Sequence, residues 1–312
     1  MENLPSNPRA APASFPLAGF GLRALQAFPL AGDASSRRFF RVKVRGGGSV
    51  IVMWYPGEAA VTVRHHARVF RWAQSRRLPV PRLLAELEEA LLVEDVGVRT
   101  VRQALEENPT ATLANLLATL SSFQRQPPQG VPNPPFDSLL FWRELEQFLA
   151  MAYPNQPPPA SVYRFCAGLA HALTAHPFRL CHRDFHLDNL LVSGAQIKAV
   201  DFQDMRLGPD TYDLASLLRE RGGPALLPQD LVHQAAQVLQ WAPGWQDRYW
   251  QCAAQRGMKA LGTFLKLIRQ GRRSYGAFVD EVAGQTLAAL EVLRAPRPLR
   301  ELLAGLQERP PV

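Results

Sequence analysis

The chain has 312 residues, of which 47% are hydrophobic, and this suits one large or two smaller globular domains. Its formal net charge is +8, but lysine and arginine are spread along the chain without a basic motif interleaved with aromatic residues, so nucleic-acid binding is not expected. No apolar run approaches the ~20 residues of a membrane span, and the N-terminal stretch lacks the features of a signal peptide. The three cysteines are an odd number and form no CxxC pair, which predicts reduced, mostly buried thiols in a cytoplasmic protein. No membrane partner is expected.

The first third of the chain is predicted to contain a short helix and two hairpins. Residues 21–28 are assigned to the helix. Residues 39–44 alternate between apolar and basic side chains, which predicts a half-buried strand. Three glycines turn the chain, and residues 49–55 return as an apolar strand that Pro56 stops. A helix over 59–77 and a second hairpin, 83–87 with 90–93, complete this region.

Beyond about residue 96 the pattern is mainly helical. Asn108 followed by Pro109 predicts an N-cap with proline at the first helical position, before apolar residues at helical spacing. Residues 207–210 are predicted to form a turn. Further helices are predicted at 137–153, 162–173, 212–221, 244–273 and 275–293.

The stretch LCHRDFHLDNLLVSGAQIKAVDFQD (180–204) is the most informative part of the sequence. It places polar residues at the ends of short apolar runs and contains an HxDxxxxN pattern followed by a DF dipeptide. In kinase-type phosphoryl transfer, an Asp accepts the proton of the attacking hydroxyl, an Asn five residues later holds metal, and a second Asp holds metal on the nucleotide phosphates. Asp184, Asn189 and Asp201 match this order, so the sequence predicts ATP and Mg²⁺ as cofactors, with Asn189 and Asp201 as metal ligands.

The N-terminal region departs from the kinase pattern in one respect. Kinases carry a Lys on this strand, and here the matching position is Met53. The helix over 59–77 has no Asp or Glu to pair with such a Lys, so both partners are absent together. Arg37, Arg38 or Arg41 is the candidate for the missing charge.

Two groups of residues are predicted to bind the nucleotide. The turn over 31–38 can cover phosphates through Ser35, Ser36, Arg37 and Arg38, although an ordinary polar turn is the alternative. Glu94 and Val96 lie where a kinase-like chain would pass the adenine.

The motif over 180–204, together with DFQDMRLGPDTYDLASLLRE (201–220) and LAGDASSRRFFRV (30–42), resembles the aminoglycoside phosphotransferase family, protein-kinase-like enzymes that phosphorylate small molecules. Within it, the segments are most similar to bacterial sugar kinases that phosphorylate the anomeric hydroxyl of N-acetylmuramate and N-acetylglucosamine in peptidoglycan recycling. The resemblance implies an α+β, two-lobe protein-kinase-like fold. Its antiparallel-sheet N-lobe would comprise residues 1–95, and its mainly helical C-lobe residues 96–312.

The resemblance also implies roles for individual residues. Asp184 would be the catalytic base, and His182 with Asp213 would keep its loop in shape, although a first-turn acid favoured by the helix dipole is the alternative for Asp213. The acceptor would be contacted by Asp204, His186 and Arg256.

Three rival functions stay open at this stage. The first is a kinase for another acceptor, such as an aminoglycoside, choline or a hydroxy-amino acid. The second is a nucleotide-binding protein with little kinase activity, suggested by the missing strand Lys. The third is a basic nucleic-acid binder. The three motif residues, Asp184, Asn189 and Asp201, argue against both the second and the third. A monomer is expected.

Overall fold

A computed structural model describes residues 18–21, 24–30, 37–57, 60–219, 222–228 and 230–308. The chain forms two compact units, the first made of Met1–Val98 with Val192–Gln203 and the second of Arg99–Leu191 with Asp204–Val312. The lobe boundary after residue 95 stays a prediction. Within the described ranges, every helix is too short or too polar to cross a membrane.

The first unit is built on an antiparallel sheet. Its elements are β1 (Ala24–Leu30), β2 (Arg38–Val44), β3 (Ser49–Trp54), α1 (Ala60–Ser75), β4 (Leu83–Leu87) and β5 (Ala90–Glu94). The strands lie in the order β1-β2-β3-β5-β4, and each neighbouring pair is antiparallel. Both predicted hairpins, β2 with β3 and β4 with β5, are confirmed.

One face of this sheet forms a hydrophobic core. Phe40 and Val42 of β2 pack with Val52 of β3 and Leu92 of β5, because alternate residues of a strand point to the same face. Beyond the core, Arg41 makes a bidentate ion pair with Asp95, at 2.6 Å from Nε and 3.0 Å from Nη2. Burial acts to raise the pKa of Asp95, but the bonds from Arg41 and Ser49 lower it overall. This pair fixes the chain where it leaves β5.

The short helix predicted over residues 21–28 is wrong. The chain forms β1 instead, in register with β2 through pairs such as Ala27 with Val42. Antiparallel pairing with the next strand outweighs weak helix propensity, and the edge position tolerates Pro29, whose missing N–H would break a helix.

The rest of the chain is mainly helical. The elements are α2 (Val101–Glu107), α3 (Pro109–Gln124), α4 (Ser138–Ala152), α5 (Ala160–Ala172), β6 (Phe178–Cys181), β7 (Leu190–Ser193), β8 (Gln196–Ala199), β9 (Arg206–Pro209), α6 (Tyr212–Arg219), α7 (Gly223–Leu226), α8 (Leu231–Val238), α9 (Trp245–Arg269), α10 (Val279–Val292) and α11 (Arg297–Glu308). Two short strand pairs, β6 with β9 and β7 with β8, interrupt the helices.

The predicted helix starts are confirmed where a capping residue marks them. The Asn108 side chain accepts a hydrogen bond from the backbone N–H of Ala111 at 3.2 Å, and Asp137 accepts one from Leu140 at 2.7 Å. Each cap satisfies an N–H that has no partner inside its helix.

One other local prediction is wrong. The turn predicted over residues 207–210 is mostly strand β9, which forms because it pairs with β6, an antiparallel partner earlier in the chain. The helix predicted over 275–293 is present as α10, but it begins only at Val279, after a 3₁₀ segment, Arg273–Phe278. Helix α11 was not predicted.

Helix α9 is held closely between two other helices by glycines. A Cβ atom on Gly257 would lie 2.0 Å from Oγ1 of Thr286 on α10, and one on Gly262 would lie 2.8 Å from Cα of Phe148 on α4. Only glycine permits these approaches, so both positions fix where α9 lies.

We expect Gly262→Ala to lower the free energy of unfolding by about 2 kcal/mol, because its methyl group would meet the backbone of Phe148 rather than a flexible side chain. Urea unfolding measures the change. Gly168→Ala on α5 is the matched control, since its Cβ would meet nothing within 4 Å. The control should stabilise the protein by about 0.5–1 kcal/mol. Equal effects of the two substitutions would contradict the close packing of α9 on α4.

Candidate active site

The motif loop runs from His182 to Asn189, between β6 and β7, and a buried carboxylate holds its start. Asp213, in the first turn of α6, accepts a hydrogen bond from the backbone N–H of His182 at 2.6 Å and from that of Arg183 at 3.0 Å. Arg183 has φ 80°, in the left-handed region that non-glycine residues rarely adopt. The carboxylate therefore binds the N–H of the strained residue and that of the residue before it, and so shapes the loop that carries Asp184.

Asp213 is buried and its environment changes its acidity. Burial raises the pKa of Asp213 from 3.8 to about 7, although the hydrogen bonds from His182 and Arg183 act to lower it. The ionised form of Asp213 offers an oxygen to each N–H. Because burial disfavours this form, keeping it lowers the free energy of unfolding of the protein.

We expect the stability of the protein to depend on pH through Asp213. A carboxyl whose pKa is higher in the folded protein stabilises the fold fully below its unfolded pKa, and this contribution is lost as pH rises through the folded pKa, about 7. From pH 5 to pH 7 the wild-type protein should lose about 2 kcal/mol of stability relative to Asp213→Asn, whose amide does not titrate. Urea unfolding at pH 5, 6, 7 and 8 measures this difference.

The same variant should lower kcat about 10- to 100-fold, because an amide offers only one oxygen to the two N–H groups and the loop shifts. Asp280→Asn is the control, because Asp280 is an exposed acid in the first turn of α10 and can interact with the helix dipole in the way that the alternative for Asp213 assumes. It should keep wild-type turnover and pH dependence. Parallel stability curves for the wild type and Asp213→Asn would contradict the prediction.

Asp184 lies between two cations from α9. Its Oδ1 atom is 3.2 Å from Nζ of Lys259 and 3.5 Å from Nη1 of Arg256. Burial acts to raise the pKa of Asp184, but Lys259, Arg256 and Arg183 bring it well below its usual value. The carboxylate is therefore ionised at neutral pH, the form that can accept a hydrogen bond from a hydroxyl group.

Arg256 is bound mainly by the protein itself. It is 1% exposed, and its guanidinium donates to the backbone oxygen of Arg183 at 2.6 Å. It also donates to the Tyr212 hydroxyl at 3.1 Å and to Oγ of Ser216 at 2.9 Å. Its predicted contact with the acceptor stays a prediction.

The side-chain amide of Asn189 uses its nitrogen for hydrogen bonding within the loop. Its Nδ2 atom donates to the backbone oxygen of Asp184 at 3.0 Å and lies 3.2 Å from Nε2 of His186. This leaves its Oδ1 atom as the hard oxygen donor that the motif assigns to metal. Asp188, next to it, pairs with Arg102 at 3.6 Å on the surface.

Sequence reasoning missed a polar cluster around Glu144 on α4. Arg183 donates to its Oε1 atom and Gln255 of α9 to its Oε2 atom, each at 2.7 Å. Asp204, which is 65% exposed, lies 3.7 Å from Nη1 of Arg183. The sequence did contain a signal for this cluster: the acid Glu144 lies at helical spacing among the apolar residues Phe141, Leu145 and Phe148.

Asp201 lies in the first unit, just after β8. It has φ 57° and is 45% exposed, and its Oδ1 atom accepts a hydrogen bond from Nη2 of Arg37 at 3.1 Å. Its segment is anchored by Lys198, whose Nζ atom lies 2.7 Å from Oε1 of Glu94, and by Phe202, whose ring contacts that of Phe70. Asp201 and its partner Arg37 are thus held at the surface of the first unit, in a segment that the Lys198–Glu94 ion pair connects to strand β5.

At the position of the missing Lys, the structure has an uncharged contact. Met53 is buried, and its Sδ atom is 3.9 Å from Nε2 of Gln203. The cation beside Asp201 is Arg37, which the sequence had named as one of three candidates. Whether it meets nucleotide phosphates stays a prediction.

The other residues predicted to bind nucleotide are placed as follows. Ser35 and Ser36 lie outside the described residues. The Arg38 guanidinium lies over the Trp54 ring, 5.4 Å from its centre. The Glu94 carboxylate binds Lys198 and Arg82, and Val96 is buried. Their contacts with nucleotide stay predictions.

A sequence model of the phosphotransferase enzyme family matches residues 27–250. The chain belongs to this family. The predicted resemblance and the phosphotransferase activity are thereby confirmed.

Similar proteins include two N-acetylmuramate/N-acetylglucosamine kinases. The one from Pseudomonas putida is 28% identical, and the match covers 88% of this chain and 86% of the relative. The one from Pseudomonas aeruginosa is 30% identical, with 90% and 88% covered.

Solved structures support the fold. A choline/ethanolamine kinase family protein from Mesorhizobium loti superposes with a TM-score of 0.61 at 17% identity, over 91% of this chain and 92% of that protein. An aminoglycoside phosphotransferase from Streptomyces rimosus gives 0.54 at 16% identity, over 75% and 92%. The predicted α+β, protein-kinase-like fold is confirmed.

Proposed function

We propose that this phosphotransferase moves the γ-phosphoryl group of ATP to a hydroxyl of a small amino sugar. The proposed acceptor is the anomeric hydroxyl of N-acetylmuramate or N-acetylglucosamine, and the proposed role is in peptidoglycan recycling. The two Pseudomonas relatives support the choice of acceptor, because both carry these sugars in their names. The observation that carries the chemistry is the ionised Asp184, in a loop that the buried Asp213 holds.

Asp184 is proposed to orient the acceptor hydroxyl and to take its proton. A loose phosphoryl-transfer transition state asks little of a base, so a low pKa at Asp184 is compatible with this role. His182 and Asp213 keep the loop in shape. His186, Asp204 and Arg256 are the proposed acceptor contacts.

Asn189 and Asp201 are the proposed ligands of Mg²⁺. An amide oxygen and a carboxylate are hard donors, and Mg²⁺ commonly takes only one or two such protein groups beside water and phosphate oxygens. When bound, the metal neutralises charge on the phosphates. Ser35, Ser36, Arg37, Arg38, Glu94 and Val96 are the proposed nucleotide contacts, with Arg37 as the cation in place of a strand Lys.

The experiment that tests this function is ADP release from ATP and Mg²⁺ with four separate acceptors: N-acetylmuramate, N-acetylglucosamine, glucose and kanamycin. Phosphorus NMR of the product identifies the modified hydroxyl. Turnover with the N-acetyl sugars, with an anomeric phosphate as product, is the expected result. Turnover with kanamycin alone would instead identify an aminoglycoside kinase. Nucleotide binding without acceptor-dependent turnover would indicate a nucleotide-binding protein with little kinase activity.

A further inference from the structure

The two cations beside Asp184 differ in how the protein uses them. Arg256 is almost fully buried and donates to three protein groups besides Asp184. The Lys259 side chain is 20% exposed, and the hydrogen bond from its ammonium goes to Oδ1 of Asp184. The hydrogen bonds of Arg256 are thus shared among several protein groups, whereas the ammonium of Lys259 binds a single carboxylate oxygen.

Lys259 reaches Asp184 from a backbone that has little freedom to move. Gly257 lies against α10 and Gly262 against α4, where added methyl groups would collide. One turn before Lys259, Gln255 donates to Glu144 of α4 at 2.7 Å. Helix α9 therefore presents the ammonium at a fixed place.

We propose that Lys259 is a positioning residue of the phosphotransfer centre, which holds Oδ1 of Asp184 so that Oδ2 faces the acceptor hydroxyl. The inference rests on the proposed role of Asp184 as the base. Within the described ranges, no hydrogen bond reaches Oδ2 of Asp184, whereas both cations approach Oδ1. A charge-assisted bond to one oxygen limits rotation of the carboxylate.

Lys259 keeps its three protons throughout the transfer. The acceptor hydroxyl gives its proton to Oδ2 of Asp184 while its oxygen bonds to the γ-phosphorus, and the bond from that phosphorus to the leaving oxygen of ADP breaks. An ammonium suits this task because it donates to Oδ1 without spanning both oxygens, as an arginine fork can.

The test compares Lys259→Met, Lys259→Arg and, as matched control, Lys266→Met. Lys266 lies two turns further along α9 and is exposed. In Lys259→Met, kcat should fall about 10- to 100-fold, the equivalent of one charge-assisted hydrogen bond, while the KM values for ATP and acceptor change less than about twofold. Lys259→Arg should recover part of kcat, and Lys266→Met should match the wild type.

A second measurement shows whether Lys259 acts through Asp184. Adding Lys259→Met to Asp184→Asn should reduce the residual turnover no further, because the oxygen that it positions is no longer a carboxylate oxygen. An unchanged kcat in Lys259→Met, or a full further loss in the double variant, would overturn the proposal. A rise confined to the acceptor KM would also overturn it, and would make Lys259 an acceptor contact.

The proposal can fail separately from the proposed function. Kinetics are measured with whichever acceptor supports ADP release, so a wrong sugar leaves the comparison valid. If no acceptor does, a double-mutant cycle of urea midpoints with Asp184→Asn and Lys259→Met still tests the pairing. Non-additive shifts are expected, and additive shifts would overturn it.

Discussion

In Asp184→Asn, kcat for acceptor-dependent ADP release is expected to fall by about 10²- to 10⁴-fold, the range that a positioned general base contributes. An amide keeps the size of the carboxylate but accepts no proton at neutral pH. It also loses the ion pairs with Lys259 and Arg256, which would then lie beside an uncharged group. Steady-state ADP release with saturating ATP, Mg²⁺ and acceptor measures the effect.

The matched control is Asp188→Asn in the same loop. Asp188 is exposed and pairs only loosely with Arg102, at 3.6 Å. A surface ion pair of this kind contributes about 0–1 kcal/mol, so turnover should stay near the wild-type value. Retention of more than about a tenth of wild-type kcat in Asp184→Asn would argue against the base assignment.

Asp201→Ala is expected to remove turnover almost completely, by about 10³-fold or more, because a metal contributes several kcal/mol to stabilising charge on a transferring phosphoryl group. Fluorescent-nucleotide binding with and without Mg²⁺ supplies a measurement independent of turnover. The metal should strengthen nucleotide binding by the wild-type protein and change it little in the variant. Circular dichroism checks that the fold is intact.

Arg37→Ala separates the two consequences of losing Asp201. It breaks the same ion pair, at 3.1 Å, but keeps the carboxylate. Nucleotide affinity should weaken in this variant while the dependence on Mg²⁺ persists. Substantial turnover in a folded Asp201→Ala protein, or loss of Mg²⁺ dependence in Arg37→Ala, would contradict the assignment of Asp201 to the metal.

Arg37 also bears on the absence of a strand Lys. Met53 and Gln203 form an uncharged contact at that position. The positive charge lies instead on Arg37, one strand earlier in the chain and already beside Asp201. We therefore propose that the departure from the kinase pattern is a relocation of charge within the first unit, with Arg37 in place of the strand Lys.

The sequence by itself determined the features that depend on neighbours in the chain. The HxDxxxxN spacing and the DF dipeptide predicted Asp184, Asn189 and Asp201 as site residues, because the loop and the hairpin that hold them are continuous in sequence. Alternation over residues 39–44 predicted β2, and the apolar run over 49–55 predicted β3. The pair Asn108 and Pro109 predicted the start of α3, where the Asn108 side chain accepts a hydrogen bond from the N–H three residues later.

Only the tertiary structure decided the features that depend on distant partners. Strand β9 forms through pairing with β6, from which β7 and β8 separate it, so its own sequence suggested a turn. Strand β1 has a nearer partner, the next strand β2, but its own sequence did not show that pairing and suggested a helix. Lys259 lies 75 residues from the carboxylate that it contacts, and Glu144 lies 39 residues from Arg183. Such contacts follow from how α4 and α9 pack, through glycines whose need for close approach shows only when the opposing backbone is in place.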